Sequence, residues 1–334
     1  MDDHIKRSYA QNQIVSRMDD TPFPPPICEA KMKIGLIDVD RYTYPRMTFP
    51  NLALMKISAY HKAKGDAVKW CIEPFTPFDI VYQTKVFDET YSRDLTWTPN
   101  ADRIIKGGTG YGMDNTLPEE IEHIYPDYHL YDGTPAEVKN TAYGFLTRGC
   151  PRYCDFCIVG DKEGLKSHKV ADLSEFWKGQ RNIKLLDPNI LACLEWRDLF
   201  CQLFHSNAWI DFTQGLDARF CTIEAIAMIN TLKIKRLHFA WDNPKKNLKP
   251  HFERLDKLLM VKDPRKRIVY VLTNHGSTLE EDLYRIYTLE ALGFDADVRI
   301  FDKPNAPNEI RRLQRWCNNR IIHAKCKRFE DYKE

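Results

Sequence analysis

Residues 143–160 read Tyr143-Gly-Phe-Leu-Thr-Arg-Gly-Cys150-Pro-Arg-Tyr-Cys154-Asp-Phe-Cys157-Ile-Val-Gly160. The first five predict a buried apolar strand, Tyr143 to Thr147. The rest predicts an irregular loop with three cysteines in eight positions. The spacing C-x3-C-x2-C lets a short loop turn three thiolates toward one face of an iron–sulfur cube, and thiolate is the ligand such clusters use. A closed structural site would want a fourth cysteine nearby. The next one, Cys193, lies beyond a predicted strand, so the fourth iron is expected to stay open, as the open position of catalytic zinc does. On spacing alone, a zinc loop completed by a histidine such as His168 is the other reading.

Downstream of the loop the chain repeats one rhythm. Leu173 to Gly179 predicts a short helix, Asn182 to Asp187 a second strand, and Ile190 to His205 a helix with apolar positions at Leu191, Leu194, Leu199, Leu203 and Phe204. Trp209 to Thr213, Arg236 to Trp241, Arg267 to Thr273 and Asp297 to Phe301 predict four more strands, separated by helical segments. Ser277 with Glu280 forms a capping-box pattern before the helix near Thr278. Six βα units in series imply a parallel sheet curved into a partial (βα)6 barrel, whose βα loops converge on one rim. The polar residues expected there are Asp187 and Asn189, then Gln214, Asp217 and Arg219, then Asp242. Asn243, Thr273, Asn274, His275, Asp302 and Lys303 follow. Each is otherwise readable as an ordinary helix cap.

The cysteine spacing, with Phe156 just before the last cysteine, resembles the signature of the radical S-adenosylmethionine (SAM) superfamily. The resemblance extends over residues 140–305 and, more loosely, 33–130. It implies a [4Fe-4S] cluster on Cys150, Cys154 and Cys157, SAM chelated by the fourth iron, and reductive cleavage of SAM to a 5'-deoxyadenosyl radical. A reductant such as flavodoxin or ferredoxin would supply the electron. It further implies that the loop Leu-Leu-Asp187-Pro-Asn189, standing where the family commonly has Gly-Gly-Glu, meets the SAM amino group. Asp242 would reach the ribose hydroxyls, Arg219 would pair with the SAM carboxylate, Phe156 would lie against adenine, and Gln214 joins the cofactor-binding set. No catalytic residue is assigned. The substrate is open among a small molecule, a peptide and RNA. RNA methyl or methylthio transfer is one outcome, and a metal-stabilised binding module without turnover is the reading from a different class.

The preceding part predicts a Rossmann-like parallel α/β layer over residues 31–138. Lys33 to Asp38 predicts a strand, Asn51 to Lys64 a helix stopped by Gly65, and Val68 to Ile72 and Asp79 to Tyr82 further strands. Ile104 and Ile105 lead another strand into the Gly107-Gly108 turn. This layer is similar to the cobalamin-binding-type domain of one branch of the superfamily and to its tRNA methylthiotransferase counterpart. The family's Asp-x-His-x-x-Gly is absent, since Asp38 to Met47 holds no histidine, and Cys28 and Cys71 are too few for a second cluster. Neither histidine-ligated cobalamin nor a second cluster is expected. A lid over the barrel mouth, or a substrate-recognition surface, is the expected role.

The chain has 334 residues, a formal net charge of +2 and ten cysteines. So small a charge excludes a generalised nucleic-acid surface and leaves only local patches. The N-terminus carries no apolar signal segment and no apolar run reaches membrane length, so a cytoplasmic protein with its clustered cysteines as metal ligands is expected. Residues 1–30, ending in Pro24 to Pro26, predict an extended tail. Residues 306–334 predict a basic helical extension packing Ile310, Leu313 and Trp316, with RNA binding as the alternative use of its charge. Cys193 and Cys201 are expected as packed thiols and Cys221 as buried. Cys317, His323 and Cys326 form a weaker candidate for an auxiliary metal.

Overall fold

The first sheet is built around one apolar strand buried on both faces, with more exposed strands at its edges. A computed structural model describes residues 31–333; the tail expected over residues 1–30, with Cys28, lies outside the described residues. Strands β1 (Lys33–Asp38), β2 (Ala67–Trp70), β3 (Phe78–Thr84) and β4 (Ala101–Gly107) pair in parallel in the order β2-β1-β3-β4. Ile34, Leu36 and Ile37 of β1 are inaccessible, as the central strand of a covered parallel sheet requires. After the short α1 (Val39–Thr43), α2 (Leu52–Ala63) begins where the Asn51 side chain accepts the Leu54 N–H at 3.2 Å, and the chain leaves it through Gly65 at φ 86°. Its buried residues Leu54, Met55 and Ile57 pack in one apolar cluster with Ile34 and Leu36.

The second sheet has six parallel strands in reversed chain order: β12 (Asp295–Ile300), β11 (Arg267–Thr273), β10 (Lys233–Ala240), β9 (Trp209–Leu216), β8 (Asn182–Leu185) and β5 (Thr141–Gly144). Each strand lies beside the next one in sequence, so every connection must cross back over the sheet, and helices make those crossings. Four of the five crossings use α5 (Trp196–Ser206), α6 (Ile223–Thr231), α7 (Lys249–Leu258) and α8 (Leu279–Ala291); the fifth, from β5 to β8, runs through the cysteine-bearing segment and the short α4 (Val159–Glu163). The largest apolar cluster fills the space between them, where each fully buried side chain such as Leu199, Phe200 or Leu203 contributes roughly 1.5–3 kcal/mol. The described residues from Met32 onward form one compact unit, of mixed α/β type with two parallel sheets.

Several local expectations are corrected. The strand leading into the cysteines stops at Gly144, where the Phe176 ring packs so close that an added side chain would meet it at 2.3 Å; the chain then turns. Thr147–Arg148 (β6) instead pairs antiparallel with His168–Lys169 (β7), a two-residue ribbon across the base of the loop. The helix expected over 190–205 is divided into a 3-10 turn, Ile190–Ala192, and α5. Cys193 is extended between them, and the break changes the helical phase, so Leu194 and Phe204 are exposed. Cys201 is likewise exposed on α5 rather than packed, whereas Cys193 and Cys221 are buried. The capping box before α8 is Thr278 with Glu281, one residue later than expected, and the helix expected over 173–179 is a single 3-10 turn, Leu173–Glu175.

Beyond β12, α9 (Asn308–Asn318) buries Ile310, Leu313, Trp316 and Cys317. Several of its cations are spent on the protein: Arg311 donates to the Pro304 and Ala306 carbonyls and Arg312 to that of Tyr332. His323 faces Glu290 at 2.7 Å, which gives that histidine a carboxylate partner.

Candidate functional site

The loop after Arg148 is fixed from within and from three sides. Gly149 adopts φ 80°, open to glycine at little cost, and a side chain there would meet the Lys166 carbonyl at 2.3 Å. Glu163, at the end of the short α4 (Val159–Glu163), accepts from the Gly149 N–H at 3.1 Å and from Arg148 at 2.6 Å. The Cys150 N–H donates to the Gly164 carbonyl, and the Cys157 N–H to that of Cys154.

Outside contacts come from the ends of other strands in the second sheet. After β8, Asp187 accepts at one oxygen from the Leu146 N–H (3.0 Å), the Thr147 N–H (2.5 Å) and the Thr147 hydroxyl (2.7 Å). The Asn189 amide donates to Cys150 Sγ at 3.6 Å. After β9, Asp217 receives Arg152 Nε at 2.6 Å and Arg219 through two nitrogens, at 2.7 and 3.0 Å. After β11, His275 Nε2 stands 3.1 Å from Asp155 and its ring lies edge-on to Phe156, centroids 5.4 Å apart. Three separate strand ends thus hold one loop.

The loop stands beside a cavity of about 2490 Å³ lined by the carboxyl ends of both sheets. Asp38, Thr84 and Gly107 mark the ends of β1, β3 and β4 there; Ala240 ends β10, Leu272 is the last residue but one of β11, and Thr213 and Gln214 lie in the carboxyl-terminal half of β9. Ligands of parallel sheets bind outside the carboxyl ends of their strands, and here two such edges share one space. The Gly107-Gly108 turn belongs to this edge: Gly108 has φ 91°, and a side chain on it would strike the Lys85 carbonyl at 2.3 Å.

Of the residues expected at the site, Phe156, Gln214 and Asp242 line the cavity. Cys150, Cys154 and Cys157 are partly buried in the loop beside it. Asp187 and Asn189 are buried behind that loop, each with one side-chain oxygen lacking a partner, and Arg219 is folded onto Asp217. Burial raises Asp187 to about 7 despite its three donors. Burial likewise raises Asp242 to about 6, against the pull of Arg285 and Arg219. Burial, and then Asp242 and the neighbouring thiols, push Cys154 up.

The donor set fits an iron–sulfur cluster by its chemistry. Three thiols lie on a backbone held at several points, and an amide donor reaches one sulfur, as the outer donors around metal ligands do. Among the described residues no three His, Cys, Asp or Glu side chains converge on a single-ion site.

A row of polar side chains crosses the second sheet and was not legible in the sequence as a site. Tyr143, Lys184 and Asp211 are lateral neighbours on β5, β8 and β9. His238 Nδ1 donates to the Phe212 carbonyl at 3.1 Å, with Asp211 at 3.6 Å, and its ring stacks on Tyr270. Arg299 lies over the other side of the row at 4.7 Å from the Tyr270 centroid, and Tyr270 and Arg299 reach the cavity. The available signal was a polar residue within a strand: Lys184 in β8, Asp211 in β9 and His238 in β10. The chain matches no family model and no curated protein, and no described helix is long and apolar enough to cross a membrane.

Proposed function

We propose that this protein is a radical SAM enzyme, with the six-stranded sheet as its partial (βα)6 barrel and the first sheet as a Rossmann-like layer facing the barrel mouth. The observation that carries the reading is the three-cysteine loop, held by the ends of three other strands beside a cavity that both sheets line. Cys150, Cys154 and Cys157 would hold the cluster. Once bound, the cluster and SAM supply one-electron cleavage of the sulfonium to a 5'-deoxyadenosyl radical, with the electron from a reductant such as flavodoxin or ferredoxin.

The chain's own residues provide the setting. Phe156 offers an aromatic edge at the cavity wall, fixed by His275. Asp242 presents a carboxyl at the end of β10, and Gln214 an exposed amide after Thr213. Asp187, after β8, ties the backbone at Leu146 and Thr147, just before the loop, to the end of that strand. Asp217 gathers Arg152 and Arg219, a cationic pair on the loop's flank that suits the carboxylate of SAM.

The test is anaerobic reconstitution followed by counts of iron and sulfide and by assay of 5'-deoxyadenosine from SAM under dithionite. About four irons per chain and SAM cleavage are expected. Equal iron in the wild type and in Cys154→Ala, or a full cluster with no cleavage, would overturn the reading.

A further inference from the structure

The cavity is larger than its SAM-facing part needs. Small-molecule pockets occupy about 300–1,000 Å³, so more than half of the 2490 Å³ is left for something else. What lines that remainder is cationic and aromatic. Nine Lys and Arg residues and six Asp and Glu residues border the whole cavity. Five of the six acids are already engaged: Asp38 by Tyr131, Asp40 by the Val86 N–H, Glu120 by Tyr60, Glu122 by Lys56 and Glu163 by Arg148.

Several cations face the cavity without a carboxylate. Arg46, in the loop between α1 and α2, and Arg103, on β4, are exposed and have no hydrogen-bond or ion-pair partner among the described residues. Lys162, on α4, touches only the Met113 and Asn115 carbonyls. Rings stand between them. Tyr44 and Phe87 are 40% and 43% exposed, with centroids 6.0 Å apart, and Phe49 and Tyr82 line the wall further in.

We propose that the first-sheet wall, together with α4 across from the cysteine loop's start, binds a single-stranded nucleic-acid segment, whose phosphates meet Arg46 and Arg103 on that wall and Lys162 on α4 and whose bases stack on Tyr44 and Phe87. Cations spread over three elements suit a backbone that passes each in turn, and interleaved rings suit bases, which all present a π-face. An acidic peptide would meet the charges but leave the rings unused. A duplex keeps its bases stacked inward, away from such rings and from the cavity floor. The inference rests on the radical SAM reading for what is done to the strand, and on the cavity wall alone for its binding.

Binding is measured by fluorescence anisotropy on the full chain with labelled 12-nucleotide single strands, one RNA and one DNA of the same sequence, between 50 and 200 mM KCl. Arg46→Ala with Arg103→Ala should weaken binding at least tenfold at 50 mM and reduce the log–log salt slope by about 1.4, or about 0.7 for each phosphate no longer neutralised. Tyr44→Ala with Phe87→Ala should weaken it about tenfold with the slope unchanged. A duplex of that sequence and a poly-glutamate peptide should compete at least tenfold less well. Tight binding of either strand with this pattern supports the proposal, and preference between the two names the sugar. Absence of binding at 50 mM, unchanged affinity in the arginine variant, or equal competition by peptide or duplex would overturn it. The protein with Cys150, Cys154 and Cys157 all replaced by Ala should bind the strand as the wild type does. Wild-type protein that binds the strand but does not cleave SAM therefore breaks only the enzymatic reading, and wild-type protein that cleaves SAM but does not bind the strand breaks only this one.

Discussion

Arg152 and Asp217 are 65 residues apart in the chain, and their side chains meet at 2.6 Å, joining the middle of the cysteine loop to the end of β9. Asp217 is largely buried and also takes the fork of Arg219, so one carboxylate organises two guanidinium groups. The arginines hold its carboxyl below the usual carboxylate range even though burial works the other way.

Removing that carboxylate should loosen the loop more than removing either arginine. Asp217→Asn leaves two partly exposed guanidinium groups without a charged partner, at about 1–3 kcal/mol, while Arg152→Ala should cost about 1 kcal/mol. Thermal unfolding of the two variants and iron retained after reconstitution are the measurements. Equal stability in both would mean the pair is incidental.

Asp187 invites a paired substitution. Asp187→Ala strands the Leu146 and Thr147 N–H groups in the interior, for about 2–4 kcal/mol. Asp187→Asn keeps an accepting oxygen and a neutral group where burial already disfavours the anion, so it should cost under about 1 kcal/mol. Urea denaturation at pH 7 separates the two, and an Asn variant as weak as the Ala variant would show that the charge is needed.

Arg285 is buried and bonds the carbonyls of Trp241, Asp242 and Leu272 together with the carboxylate of the inaccessible Asp282. It ties the ends of β10 and β11 to α8. Arg285→Met should cost about 3–5 kcal/mol, because Asp282 would be left as an uncompensated buried charge. Adding Asp282→Leu should recover part of that loss, and a double variant no better than the single one would count against this account.

His238 gives the fold a pH dependence of known sign. Burial lowers its affinity for a proton, with Arg236 acting the same way and Asp211 and Asp297 opposing. The unfolded chain therefore takes up a proton that the folded one refuses, and stability is full above about pH 6.5 and falls as the pH drops below it. The slope from this group is at most about 1.4 kcal/mol per pH unit. His238→Asn, which retains a donor for the Phe212 carbonyl, should flatten the difference between pH 7.5 and pH 5.5 in a denaturant titration. An unchanged slope would assign the dependence elsewhere.

The strands were readable because each is an apolar run ended by polar residues, so Arg267–Thr273 falls where the sequence puts it. The break at Cys193 was not, since no proline or glycine marks it. Phe156 and Asp242 could be placed at the cavity because one sits inside the quoted loop and the other follows a strand; Gln214 was placed there by a strand expected to end at Thr213, whereas β9 runs on to Leu216 with Gln214 exposed within it. Position relative to a strand says nothing about which way a side chain turns. Asp187 and Arg219 sit at the expected strand ends, yet one binds backbone about 40 residues upstream and the other its own neighbour. The Tyr143–Lys184–Asp211 row stayed hidden because it exists only across strands, through register that no single strand carries.

The loop's outermost support, His275, is encoded 120 residues after its partner Asp155. Synthesis runs in one direction, at about 5–20 residues per second. The cysteines consequently leave the ribosome roughly 6 to 24 seconds before the last of their supports does. During that interval the three thiols stand on an unfinished chain, open to oxidation and to stray metals, and the loop can take its final shape only once His275 has emerged.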